Sequence, residues 1–423
     1  MTTLLYTHPI CIEHDPGRGH PECPDRLRAV MQGFEDDDFK ALERHEAPVV
    51  GLKEIEQVHE PYYIEQIFEN MPKEGRVSLD PDTGMSPASG EASRRAAGAV
   101  CDAVDRVMKG KGKNAFCAVR PPGHHAESSR AMGFCLFNSV AVGAFHGRAR
   151  HRLDRVAVVD FDVHHGNGTQ HMFEHDEGLF YASSHQWPAY PGTGAADETG
   201  EFNNICNLQM APGEGSAAFR KGYREKILPA LRAFDPDLLL ISAGFDAHDR
   251  DPLAQISLQT EDYAWVTGEL LAVAGECCYG KVVSLLEGGY NLEALTESVQ
   301  AHVRVRWRID PWYEEPDPEP CPPKVRSVNS LEPGGLMADK KIPADIRKLS
   351  FEDALAEMED IVHSLESGQV KLDQAIDAYT RGAHLKKHCQ VKLKEAQARI
   401  DKIVLGPDGD IGVEPADMAP DLD

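Results

Sequence analysis

An α/β fold, with one central and mostly parallel sheet flanked by helices, is the expectation for residues 1–310, and three observations carry it. Five short, nearly continuous apolar runs punctuate this stretch: AFCAV at 115–119, RVAVVDFDV at 155–163, LFYAS at 179–183, DLLLISAGF at 237–245 and KVVSLLEGGY at 281–290. Runs that are apolar at nearly every position, rather than every second one, are how strands buried on both faces read. Helical candidates lie between them, at 88–109, 138–150, 216–233, 260–277 and 292–308. The alternation of the two element types argues for parallel strands joined by helical crossovers.

Composition narrows the function. A chain of 423 residues with 41% hydrophobic content can bury a sizeable core and divide into two or three domains. A formal charge of −25 argues against non-specific nucleic-acid binding, which needs cations for the phosphates, and would draw in a cationic substrate. The opening MTTLLYTHPI has no basic segment followed by an apolar one, and no run approaches the ~18 apolar residues of a membrane span, so no secretory signal or membrane helix is expected. Ten cysteines without a CxxC pair predict reduced thiols in a cytoplasmic protein. Any metal must then be held by His and carboxylates.

Beyond residue 310 the character changes. Residues 311–345 are dense in Pro, Gly and acid, a linker composition in which no packed core is expected, and Met337 within them resembles the start of a separate reading frame. Residues 346–405 predict a helical hairpin. Ser350 and Asp353 form a candidate capping box, and Phe351, Leu355, Met358, Val362 and Leu365 recur at 4-3-4-3 spacing before Gly368 breaks the pattern. Leu372, Ile376, Tyr379, Ala383, Leu393, Ile400 and Val404 continue the stripe on a second helix. So small a unit with one apolar stripe needs a partner. Residues 406–423 read as an acidic, disordered tail.

The chemistry concentrates where apolar runs end. In VVDFDVHHGNGTQ, Asp160, Asp162 and His164 alternate, so an extended chain projects all three to one face. Two carboxylates and an imidazole at a strand end cost free energy unless a cation or hydrogen-bond donors satisfy them. A second run delivers Asp246, a third ends in Gly288-Gly289-Tyr290, and a fourth leads to the adjacent pair His124-His125. Each pattern alone is weak. Four strand ends that each carry a metal-compatible or acid/base group are hard to explain by chance.

RPPGHHA, MGFCLFNSVAVGA, DFDVHHGNGTQ, YPGTG, SAGFDAHDRDPL and EGGYN resemble, in order, the signature segments of the histone deacetylase and acetylpolyamine amidohydrolase superfamily, and HPECPDRL (His20–Leu27) is similar to its class II branch. The resemblance spans residues 1–305 and implies the arginase–deacetylase fold. It also implies that Asp162, His164 and Asp246 hold Zn2+. His124 and His125 would be tandem acid/base histidines, with Asp160 partnering the first and Asn167 near the second. Tyr290 would donate to the scissile carbonyl oxygen. Gly133, Phe134 and Tyr190 would line a narrow acyl-lysine tunnel with Leu253 at its rim, and Arg26 would lie near an internal acetate route. A structural K+ would use Asp160, Ser183 and backbone oxygens. Three protein ligands leave zinc one open position for a water, whose pKa then falls toward ~7.

FEDALAEMEDIVHSLESGQVKLDQAIDAYTRGAHLKKHCQVKLKEAQARIDKI resembles the small, non-catalytic subunit of bacterial exodeoxyribonuclease VII, which implies a nuclease large subunit as partner. The resulting reading is zinc-dependent hydrolysis of acylated lysine or small acylamines by a fusion protein. Its alternatives are a main role as the nuclease small subunit, an acetylpolyamine amidohydrolase, and a dimanganese ureohydrolase of the same fold. The single-metal ligand set, the His pair and Tyr290 disfavour the last.

Overall fold

The computed structural model describes residues 2–307 and, beyond them, scattered positions between 346 and 412. The chain divides into two units, Met1–Pro320 and Cys321–Asp423.

In the first unit the strands are β1 (Thr3–Thr7), β2 (Glu43–Glu46), the two-residue β3 (Val77–Ser78) and β4 (Gly84–Met85), β5 (Asn114–Cys117), β6 (Val156–Asp160), β7 (Leu179–Gln186), β8 (Ile205–Met210), β9 (Leu238–Ala243) and β10 (Val282–Leu286). β3 and β4 form a small antiparallel ribbon. The other eight make one sheet in the order β2-β1-β5-β10-β9-β6-β7-β8, with every neighbouring pair parallel. All five apolar runs contribute a strand, and β5, β6, β9 and β10 are buried at every position, as continuous apolar sequence requires. The strands without a sequence signal are β1, β2 and β8. β2 reads ERHE and is mostly exposed: it is an edge strand whose charges discourage further pairing.

Helices cover the sheet. Ser89–Met108 packs on Ser139–His151, and Leu292–Trp307 packs on both Thr260–Cys278 and Pro24–Gly33. The segment expected as one helix over 216–233 is interrupted: Ser216–Gly222 and Leu228–Phe234 are joined by a wider π-type turn at Tyr223–Ile227. Pro229, which has no N–H to return to the preceding turn, lies just past it. No described helix is long and apolar enough to cross a membrane.

In the second unit, Ile346, Ala354 and Leu385 are buried together, with Leu349, Phe351 and Ile361 packed against them. The Ser350 hydroxyl accepts from the Asp353 N–H (3.0 Å), as a helix N-cap does, and donates to the Asp353 carboxylate (2.7 Å). The apolar stripe differs from its expected course. Phe351 packs inward as expected, but Leu355 is exposed, and Ala354 and Ile361, which were outside the stripe, face the packed side. The end differs too: Val404–Leu405 pairs antiparallel with Ile411–Gly412, so Val404 does not continue the helix and the stretch after 406 contains a strand. Aliphatic residues on either side of a sequence rich in Gly, Pro and Asp favour such a turn over a helical continuation. The linker at 311–345, the remaining positions of the stripe and residues 413–423 lie outside the described residues.

Candidate metal centre and active site

β5, β10, β9 and β6 are consecutive neighbours in a parallel sheet, so their carboxyl ends emerge side by side. Chain segments separated by up to about 160 positions therefore meet at one edge, where open α/β sheets place their ligands. From β6 come Asp162 and His164, from β9 Asp246, from β10 Glu287 to Tyr290, and from β5 the His124-His125 pair.

Asp162, His164 and Asp246 each offer a ligand atom, all within 4.8 Å of one another. His164 Nδ1 lies 3.1 Å from Asp162 Oδ1 and 3.1 Å from Asp246 Oδ2. Both carboxylates are buried and oriented by backbone: the Gly288 N–H donates to Asp162 Oδ2 at 2.8 Å, and the Val163 N–H to Asp246 Oδ1 at 2.8 Å. The surroundings leave no room for larger residues. A Cβ at Gly244 would stand 2.1 Å from Asp162 Oδ2, and one at Gly288 would stand 2.2 Å from Asp246 Oδ2. Burial, followed by the Asp162 charge, pushes the Asp246 carboxyl up to about 7. A bound cation would relieve that repulsion, and two carboxylates with one imidazole nitrogen fit a divalent ion with an open coordination position.

Asp160 has a different task. β6 ends at this residue, so the alternation expected to bring Asp160, Asp162 and His164 to one face does not continue. Asp160 Oδ2 instead lies 3.0 Å from His124 Nδ1 and accepts from the Tyr181 hydroxyl at 3.0 Å. His125 Nδ1 is 2.9 Å from Asn167 Oδ1, while the Asn167 Nδ2 amide donates to Glu127 Oε1 at 2.8 Å. The amide is thereby turned with its oxygen toward the ring. His125 must donate through Nδ1, which leaves the Nε2 lone pair free to take a proton. The two rings lie 4.0 Å apart and are driven in opposite directions. Burial opposes charge on His124, but Asp160 and Asp162 outweigh it and push its pKa up to about 10. Burial, then the His124 and His164 charges, hold His125 well below the ordinary imidazole value.

Around this pair stand the remaining expected residues. The Arg26 guanidinium lies 4.8 Å over the Tyr290 ring and donates to the Gly289 and Glu287 carbonyls, both at 2.5 Å. Burial, with Asp246 next, pushes the Tyr290 hydroxyl well above its usual value, so it stays protonated as a donor. Phe134 packs edge-on to Tyr290 at 5.9 Å and Tyr190 edge-on to His125 at 5.2 Å, an aromatic ring on either side. Gly133 (φ 57°) and Phe134 (φ 69°) both adopt the left-handed region, and a Cβ at Gly133 would stand 2.4 Å from the His125 ring. That turn is what brings Phe134 beside Tyr290, and strain of this kind persists where the surroundings over-determine it. Leu253 is 40% exposed, its N–H bonded to Asp251, whose carboxylate also accepts from the Tyr290 N–H. Ser183 lies opposite Asp160 in the β6–β7 register, and its hydroxyl meets His185 Nδ1 at 2.9 Å.

Glu287 was not among the sequence candidates. Fully buried, its Oε2 accepts from the Gly123 N–H at 2.7 Å and thereby holds the loop carrying both histidines, while Oε1 has no partner among the described residues. A carboxylate directly after the apolar run VVSLL was the available signal. The Glu22–Arg120 ion pair, fully buried behind the site, was likewise unread.

Residues 20–306 match the histone deacetylase domain family, and residues 351–402 match the exonuclease VII small subunit family. An uncharacterized protein of Synechocystis sp. is 39% identical over 303 residues, which cover 71% of this chain and 97% of that protein. The histone deacetylase-like amidohydrolase of Pseudomonas aeruginosa is 36% identical over 280 residues, 64% of this chain and 73% of that protein. The crystal structure of the HDA15 HD domain aligns with a TM-score of 0.67 at 34% identity, covering 72% of this chain and 88% of that one. Through its first 306 residues the chain belongs to the histone deacetylase family, and it carries behind them a segment similar to the exonuclease VII small subunit.

Proposed function

We propose that residues 1–310 form a zinc-dependent deacylase acting on acylated lysine or small acylamines, with Asp162, His164 and Asp246 as the zinc ligands. The observation that carries this reading is the pair His124 and His125, pushed toward opposite protonation states beside a three-ligand cluster. When bound, zinc supplies Lewis acidity, polarising the amide carbonyl and acidifying the attacking water. His125 Nε2 takes the proton from that water as its oxygen bonds to the amide carbon. The same proton passes to the nitrogen as the C–N bond breaks, so an amide and one water become a carboxylic acid and an amine. His124, paired with Asp160, supplies positive charge beside the reacting atoms. Tyr290 donates to the developing oxyanion, and Phe134 and Tyr190 hold the acyl chain over it.

Asp160 and Ser183, opposed across β6 and β7, would also hold a structural potassium ion, and Arg26 would stand on a route for the released acid. Ten cysteines without a CxxC pair support a cytoplasmic setting for this enzyme. The match over 351–402 supports docking of that segment on an exonuclease VII large subunit. The deciding experiment screens acyl-lysine peptides and acetylpolyamines side by side, with and without chelator. Chelator-sensitive release of amine is expected. A zinc-loaded protein that turns over none of them would overturn the reading, and co-purification with a nuclease large subunit tests the docking.

A further inference from the structure

A second His–carboxylate cluster lies on the packed helices Ser89–Met108 and Ser139–His151. We propose that Asp105, His146 and His151 form a second metal site, for a divalent late transition ion of the zinc and nickel class. Asp105 leaves the last turn of one helix. His146 and His151 are five residues apart on the other, yet both rings turn the same nitrogen to one carboxylate oxygen. His146 Nε2 is 2.9 Å and His151 Nε2 2.8 Å from Asp105 Oδ1, and the three ligand atoms all lie within 4.8 Å of one another.

Donors each ~2.05 Å from an ion stand about 2.9 Å apart at 90° and about 3.3 Å apart at the tetrahedral angle, so a shift of a few tenths of an ångström would seat an ion among these atoms. The strand-end cluster shows a similar nitrogen-to-oxygen spacing of 3.1 Å. Lys109 Nζ donates to the other oxygen, Oδ2, at 2.7 Å, which stops the carboxylate from rotating and leaves Oδ1 for the ion. Beside the cluster opens a cavity of about 410 Å³ lined by Glu54, Gln57, Asp105, His146, Ala149 and Arg150. It has room for waters to complete the shell, and Glu54 offers another oxygen donor. Two imidazoles with a carboxylate suit zinc, nickel, copper or cobalt rather than magnesium or calcium, which prefer oxygen throughout. His151 is the last helical residue before Arg152 turns left-handed, so the ion would tie the end of this helix to its neighbour.

The test is metal content of the full chain after equilibration with zinc at a buffered free concentration, read by elemental mass spectrometry. Wild type should hold two ions. The His146→Gln/His151→Gln double variant should hold one and keep its deacylase turnover, since neither residue touches the strand-end site. Asp246→Asn should also hold one, by losing the other ion. A wild type with one ion that the double variant retains would overturn the proposal, as would a double variant that still holds two. If Asp246→Asn changes nothing while the double variant loses an ion, the strand-end reading fails and this one stands. Should the double variant not fold, Asp105→Asn, which keeps the size and one carbonyl oxygen of the side chain, makes the same comparison.

Discussion

At the strand ends, Asp162 and Asp246 are sealed from water, pressed by glycine backbone, and accompanied by two opposed histidines and two aromatic walls. On the helix pair, Asp105, His146 and His151 have similar donor atoms at similar spacings, but their side chains are 14–21% exposed and a lysine shares the carboxylate. Ligand chemistry alone therefore does not distinguish a catalytic centre from a clamp. The difference lies in burial, which strengthens every electrostatic effect, and in groups that can exchange a proton beside the ion.

The comparison breaks first if the strand-end ligands can be dispensed with. Asp162→Ala, His164→Ala and Asp246→Ala should each lose the bound metal and lower turnover on the order of 10³-fold or more. Full occupancy with normal turnover in any of them would remove that residue from the centre. Tyr290→Phe should keep fold and metal yet lower kcat by about 10²-fold with little change in KM, because its hydroxyl acts on charge that develops only during reaction. An unchanged kcat would leave Tyr290 a packing residue.

Substrate choice is a smaller effect. Leu253 offers no partner for a second ammonium, so acyl-lysine should be preferred to acetylspermidine. Leu253→Glu should raise kcat/KM for the polyamine by about tenfold at most, because a charge pair at a position 40% exposed is screened. A wild-type enzyme that already favours the polyamine would point to other rim carboxylates, with Asp82 and Asp80 as the candidates: burial first, and then charges that include these two, push the Tyr190 hydroxyl up.

The pH profile sharpens the contrast further. As the proposed base, His125 would work in its neutral form, and burial followed by the His124 and His164 charges holds it well below the ordinary imidazole value. Protonation removes the base only as pH falls through that lowered value, so kcat/KM should hold at pH 6.5 and decline below it. An acid limb centred at or above 6.5 would assign the base elsewhere. The smallest effect is expected from deleting residues 337–423, since every residue placed at the strand ends precedes position 308. Turnover should be unchanged, and a folded but inactive truncation would show that the two parts are coupled.

Much of this molecule was legible from its sequence. Runs apolar at every position became the central strands β5, β6, β9 and β10, because burial on both faces leaves no polar alternative. Asp162, His164, Asp246, His124, His125 and Tyr290 could be singled out because each lies in or just beyond such a run. The exposed edge strand β2 and the π-type turn at Tyr223–Ile227 carried no such signal, since neither is specified by a local hydrophobic period. Residue spacing alone grouped Asp160 with Asp162 and His164, whereas the strand stops at Asp160 and its carboxylate meets His124, the partner that the family resemblance implied. The sequence by itself determined the elements and the chemical types at their ends, through periodicities that act within a few residues. Only the tertiary structure decided that β9 and β10 insert between β5 and β6, that Glu287 holds the histidine loop, and that Asp105 meets two histidines more than 40 positions away. Those pairings depend on strand order and helix packing, which no local pattern records.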